Sequence, residues 1–305
     1  MIDVPARSAT PIGSVALAIG LSLLSLVFFD LMGLIIKRLS SDYSAAELSA
    51  YRNVFGLIPN AVALWSSQSW HNGGRRLRVR QWTLIGARGL IVTLAQLMFY
   101  LSLGRIAFAS ATTISCSSGL FMTAFAVLLL GERVGLIRWI AVLIGFVGVV
   151  MVMGPGRETF ALDSLLPLAA AALYALTGVT ARLFDEDVPS ALVNLYSTAF
   201  AVLGSTVLAF FLGGFSPIQN TSDFAWIIAM GLCGGTAVLL LVISFRMTDQ
   251  SNLAPFSYFG IPMAFIFGWI FFGEAPWRDL FPGSILIVTG GLLVIWRERH
   301  RNRLV

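Results

Sequence analysis

Charge is scarce in this chain: 11% of its 305 residues are Asp, Glu, Lys or Arg, against about 25% in an average soluble domain. It has one lysine, Lys37, two histidines, His71 and His300, and two cysteines, Cys116 and Cys233. Each shortage excludes a class of protein. Both histidines lie in arginine-rich polar stretches, so an HExxH zinc helix and a serine–histidine pair inside a membrane are excluded. The lack of a P-loop removes direct ATP coupling by this chain. The cysteines each sit within an apolar run and support neither a disulfide framework nor a metal site. No enzyme activity, metal or cofactor is expected.

What the chain has in excess is apolar length. Residues of the AVILMFWYC set make up 57% of it, against roughly 45–50% apolar in soluble domains. A membrane-crossing helix needs about 20 predominantly apolar residues. Ten runs meet or approach that length, near 12–36, 45–66, 82–103, 107–130, 136–153, 162–182, 190–212, 223–245, 252–272 and 280–296. The first is too long for a signal-peptide core and is expected to stay in the mature protein. Ten spans predict an all-α membrane protein with short loops and no separate soluble domain.

The net charge of +5 then reports orientation, and no nucleic-acid partner is implied. An even number of spans puts both termini on one side. Thirteen arginines fall there: Arg7, Arg75, Arg76, Arg78, Arg80, Arg133, Arg138, Arg182, Arg246, Arg297, Arg299, Arg301 and Arg303. The opposite loops hold only Lys37, Arg38, Arg105, Arg157 and Arg278. Positive loops stay inside, so both termini are expected in the cytoplasm. Trp65, Trp82, Trp139, Trp226, Trp277 and Trp296 fall at the proposed span ends, where an amphipathic ring prefers to sit.

A shift of 142 residues carries Gly89-Leu90 onto Gly231-Leu232, Ser102 onto Ser244, Gly131-Glu132 onto Gly273-Glu274 and Gly148 onto Gly290 without a gap. Further upstream the offset drifts, pairing Arg38-Leu39 with Arg182-Leu183, Tyr51 with Tyr196 and Phe55 with Phe200. The chain reads as a duplicated unit, 1–155 and 156–305. Five spans per unit is an odd number, so the second copy is threaded through the bilayer upside down. Inverted repeats of this kind give secondary transporters two alternative gates around one midplane site.

Two five-span halves, with Leu130-Gly131-Glu132 and Phe272-Gly273-Glu274 closing the fourth and ninth spans, resemble the EamA-type drug/metabolite transporter superfamily. The resemblance covers nearly the whole chain. It implies a bacterial inner-membrane carrier of small organic solutes, often an exporter, with a cavity lined by the first, third, fourth, sixth, eighth and ninth spans. The expected activity is alternating-access export of an amino-acid-like or other metabolite, with protons or a solute gradient as driver. Uptake of a cofactor-like solute, of riboflavin or S-adenosylmethionine type, is the alternative. A membrane sensor that transports nothing is the third reading.

Few charges lie within the runs, where each costs about 2.5–3.5 kcal/mol on insertion scales and so faces a partner or a cavity. Asp30 and Arg52 lie at similar depth below one face, on spans expected to be antiparallel neighbours. They are expected to pair, either as a fixed helix clamp or as a carboxylate that couples transport to protons. Arg88 either holds a substrate carboxylate or phosphate or snorkels toward headgroups. Gly89, Thr93, Gln96 and Tyr100 share one helical face and are expected to line the cavity. Thr112, Ser115, Gly119 and Thr123, with Ser118 beside them, make a second stripe that serves either lining or helix packing. Tyr174, Asn194, Ser257 and Tyr258 are the second-half candidates for substrate contact, beside Thr177 and Ser197. Pro59, Pro167, Pro255 and Pro262, with Gly231, Gly234 and Gly235, mark expected hinges. The two Gly-Glu turns are expected to end helices with their glutamates in water.

Overall fold

The computed structural model describes residues 12–72, 74, 77, 79–131, 135–154, 162–184, 188–248 and 253–302. Among these residues the chain folds into ten helical spans. The first five are Ile12–Leu39, Ala45–Trp65, Trp82–Leu103, a broken fourth (Phe108–Ser115 and Ser118–Leu130) and Leu136–Met153. The sixth to eighth are Leu165–Thr180, Ser190–Phe211 and Thr221–Met247. The ninth begins as a 3-10 segment, Ala254–Phe259, and continues as Gly260–Phe272, and the tenth is Gly283–Asn302. Seven helices are long and apolar enough to cross a membrane. The second span falls outside that set because it carries Glu47, Arg52, Asn53 and Asn60, all of them buried inside the bundle. Trp65, Trp82, Trp139, Trp226, Trp277 and Trp296 are all exposed at helix ends, as a headgroup belt requires.

The packing order has the symmetry of the duplication. The first span lies on the eighth, and their counterparts, the sixth and third, lie on each other. The second span lies on the eighth as the seventh lies on the third. The fourth meets the sixth and the ninth meets the first, while the second–seventh, fourth–ninth and fifth–tenth pairs map onto themselves. Single residues obey the same exchange. A Cβ at Gly89 would stand 2.4 Å from Phe200 Cβ, and one at Gly231 would stand 2.3 Å from Phe55 Cβ. Gly89 corresponds to Gly231 and Phe200 to Phe55, so one close approach is built twice. Gly131 and Gly273 both end their helices in the left-handed region, each at φ 65°, which glycine adopts without the steric cost of a Cβ.

Glycine decides how near the helices come, because helix association in lipid depends on close packing more than on a hydrophobic drive. In the fifth–tenth seam a Cβ at Gly148 would meet the Gly283 carbonyl oxygen at 2.6 Å, and one at Gly290 would meet the Ala141 carbonyl oxygen at 2.7 Å. The glycines of the eighth span serve the same purpose and are not hinges. Gly234 accommodates Met32 and Arg52, and Gly235 accommodates the ring of Pro59. Pro59 lies inside an unbroken helix, so the break expected there is absent. Pro167 sits in the first turn of its helix and Pro255 in the 3-10 segment, positions where a missing N–H costs little.

Candidate functional site

The ends of several spans are tied together on the face that carries Lys37. Lys37 Nζ lies 2.9 Å from Glu274 Oε1 and donates to the Ile106 carbonyl at 2.8 Å. Glu274 Oε2 accepts the Phe108 N–H at 2.9 Å, which satisfies a free amide at the start of the fourth span. This latch joins the first, fourth and ninth spans. Arg105 pairs with Asp163 at 2.7 Å. Glu47 completes a capping box with Ser44 and also accepts the Ser216 N–H. Tyr43 donates to Asp223 and accepts from the Gln219 N–H, both at 3.1 Å. Glu274 is therefore not a solvated turn residue as expected: the folded bundle brings the single lysine and an open helix start to it. Its counterpart Glu132 lies outside the described residues.

Below this latch several candidates fall at one level. Asp30 is nine residues from the end of the first span, and Arg52 seven from the start of the second. Ser115 is seven from the start of the fourth, Tyr174 nine into the sixth and Gly291 eight into the tenth. At 1.5 Å per residue these positions lie roughly 10–14 Å beneath the latched face, close to the middle of a 30 Å hydrocarbon core. The fourth span breaks at this depth, at Cys116–Ser117. The ninth changes from 3-10 to α-helix at the repeat-equivalent place, Tyr258–Phe259. Two discontinuous helices thus meet near mid-depth, the arrangement from which many carriers build their binding sites.

Asp30, Gly33 and Lys37 occupy one face of the first span. Gly33 abuts the Phe108 ring, and Lys37 reaches Ile106 and Glu274, so that face looks at the fourth and ninth spans. Asp30 is 6% exposed and its Oδ2 has no hydrogen-bond partner in the protein. The hydroxyls of Thr113, Ser115 and Ser117 at the break are likewise buried without partners. Tyr258 reaches across to the tenth span, where a Cβ at Gly291 would stand 1.6 Å from its hydroxyl oxygen. A Cβ at Gly119 would stand 3.6 Å away.

The expected Asp30–Arg52 pair is not formed. The eighth span lies between the first and second, with Gly234 set between Met32 and Arg52. Arg52 instead donates to Asn53 Oδ1 at 3.1 Å and leaves Nε without a partner. Tyr100 is buried three residues from the end of the third span and so stands nearer the latched face than Tyr174.

Other candidates have structural work. Arg88 donates to the Thr177 carbonyl at 2.9 Å, a cation placed at the end of the sixth span as the helix dipole favours. Thr93 bonds the Gly89 and Ala201 carbonyls in the third–seventh seam, so the half of its stripe farther from the latch serves packing. Gln96 belongs to a buried network: Ser49 Oγ and Asn53 Nδ2 donate to its Oε1 at 2.9 and 2.8 Å, and its Nε2 donates back to Asn53 Oδ1 at 3.1 Å. Asn53 also reaches Ser205. Asn194 lies four residues into the seventh span, near the opposite face, and is not brought to the site. Ser257 is exposed while Tyr258 is buried, because successive residues of a 3-10 turn point about 120° apart. Ser118 opens the second half of the fourth span, half-buried at the break.

Ser49, Asn53 and Asn60 were not among the expected residues. Ser49, Asn53, Gly56 and Asn60 recur at i, i+4, i+7 and i+11, the spacing that exposed the third-span stripe. Two apolar clefts open elsewhere. One of about 280 Å³ lies between Tyr51, Phe55, Phe215 and Phe224, and one of about 250 Å³ lies beside Ile144 and Leu286. Neither is lined by Asp30, Tyr100, Tyr174 or Tyr258, and neither holds the polar groups that orient a solute.

The EamA-like transporter family model matches the chain twice, over residues 16–154 and 163–296. An S-adenosylmethionine uptake transporter from Rickettsia bellii is 25% identical over 93% of this chain and 95% of its own. A riboflavin transporter from Rhizobium johnstonii is 30% identical over 61% of each chain. The human solute carrier family 35 member G1 is 23% identical over 92% of this chain and 79% of its own. A solved crystal structure aligns over 93% of this chain and 98% of its own, with a TM-score of 0.64 at 19% identity, a likeness of fold alone.

Proposed function

The chain belongs to the EamA-like transporter family, and from that premise we propose that it is a secondary carrier that takes up a cofactor-like metabolite by alternating access. It is a multi-pass membrane transporter and not an enzyme. The carried solute is of S-adenosylmethionine or riboflavin type, a reading supported by the names of several full-length and partial relatives. Those names favour uptake over the export expected first. Bacterial relatives and the arginine asymmetry support an inner-membrane location with both termini in the cytoplasm.

The observation that carries this reading is the meeting of the two discontinuous spans beside a buried, unpartnered carboxylate. In the proposed cycle the halves 1–155 and 156–305 rock about this level, and the Lys37–Glu274 latch closes one gate. If protons drive the cycle, Asp30 is the group that carries them, and Asp30→Asn flattens the pH dependence of transport.

Counterflow in proteoliposomes tests the function. Vesicles loaded with unlabelled S-adenosylmethionine or riboflavin should accumulate the labelled solute transiently. A folded, monodisperse preparation that exchanges neither solute would refute the substrate reading.

A further inference from the structure

We propose that Asp30, with the Ser115 and Ser117 hydroxyls, forms a cation-recognising subsite that takes the ammonium or sulfonium group of the carried solute. The inference deepens the carrier reading and rests on it. A carboxylate that is 6% exposed, with Oδ2 unbonded, is stable at mid-membrane depth only if something positive or protic meets it. Among the described residues neither nearby cation meets it. Lys37, two turns above on the same helical face, is held by Glu274 and the Ile106 carbonyl. Arg52 shares the Gly234 notch with Met32 and is directed to Asn53.

The first-span face that carries Asp30 looks at the fourth span, which breaks at a similar depth. Ser115 and Ser117 turn hydroxyl oxygens into the break with no bond to the protein. Tyr258 of the ninth span stands beside Gly119, just past the break. A carboxylate, hydroxyl oxygens and an aromatic ring together suit an organic cation, through charge pairing and the attraction of a cation to a ring.

The test uses the full chain in lipid nanodiscs and two solute pairs, each differing by one positive charge. They are S-adenosylmethionine against S-adenosylhomocysteine, and an ammonium-bearing aminoalkyl flavin against riboflavin. Equilibrium binding to the wild type should favour the charged member of at least one pair by about tenfold or more. Asp30→Asn should abolish that preference while still binding the neutral member, and Asp30→Glu should retain part of it. No preference in the wild type, or a preference that survives in Asp30→Asn, would overturn the proposal. Counterflow on the same preparations separates the two claims. Charge selection without exchange refutes the carrier reading alone, and exchange without Asp30-dependent selection refutes this subsite alone.

Discussion

Removing the Glu274 charge by Glu274→Gln should open the latched face. Glu274 holds Lys37 at 2.9 Å and the Phe108 N–H at 2.9 Å, with the two ionic side chains 28% and 13% exposed. A fully buried pair costs about 3–5 kcal/mol to break, and an exposed one about 0–1 kcal/mol. This pair lies between those limits, and glutamine keeps one acceptor, so about 1–2 kcal/mol is expected. The contacts exist only while the first, fourth and ninth spans meet. Their loss therefore shifts the balance of closed and open states by that amount, or about 5- to 30-fold in the open population. Cys116, about 12 Å beneath this face, reports the change. In a Cys233→Ala background, a membrane-impermeant maleimide applied to the latched face should label it about 5- to 30-fold faster in Glu274→Gln. Lys37→Gln should do the same, and the double variant should add little, because both changes remove one interaction. Unchanged labelling in a folded Glu274→Gln, or fully additive effects, would refute the latch as a gate.

Asn53→Ala should lower resistance to unfolding in denaturing detergent by about 1–3 kcal/mol, since it strands the Gln96 amide in the bundle. Gln96→Ala added to it should cost far less than it does alone. Gly231→Leu and Gly89→Leu should destabilise to a similar extent, because each fills the same close approach in one copy of the repeat. Gly291→Ala should displace Tyr258 from its seat and weaken solute binding in a thermal-shift titration, while Tyr258→Phe leaves stability nearly unchanged.

Much of the architecture is legible along the chain because the bilayer imposes it. Spans of membrane length cannot be hidden, and the tryptophans expected at their ends are the ones found exposed there. The duplication is legible too: Phe55 and Phe200, paired by sequence, fill equivalent notches at Gly231 and Gly89. Lateral order is different in kind. Nothing in a helix's own sequence announces that the eighth span will lie between the first and second, so Asp30 and Arg52 looked like partners. The break at Cys116–Ser117 has no proline or glycine at its centre, whereas Pro59 sits in an intact helix beside Gly235. Breaks form where neighbours leave backbone groups something to face, which is a tertiary property. The Ser49–Asn53–Asn60 stripe has the same spacing as the third span's and is legible by the same rule.

Alternating access as proposed needs two copies of one bundle standing in opposite senses around a shared mid-depth site. Single cysteines placed at Gly135 and Ala275, each just beyond its Gly-Glu turn, test it in intact cells with an impermeant maleimide. Ala275→Cys should be labelled from outside and Gly135→Cys only after the cytoplasmic side is exposed. Labelling of both from the same side would contradict it.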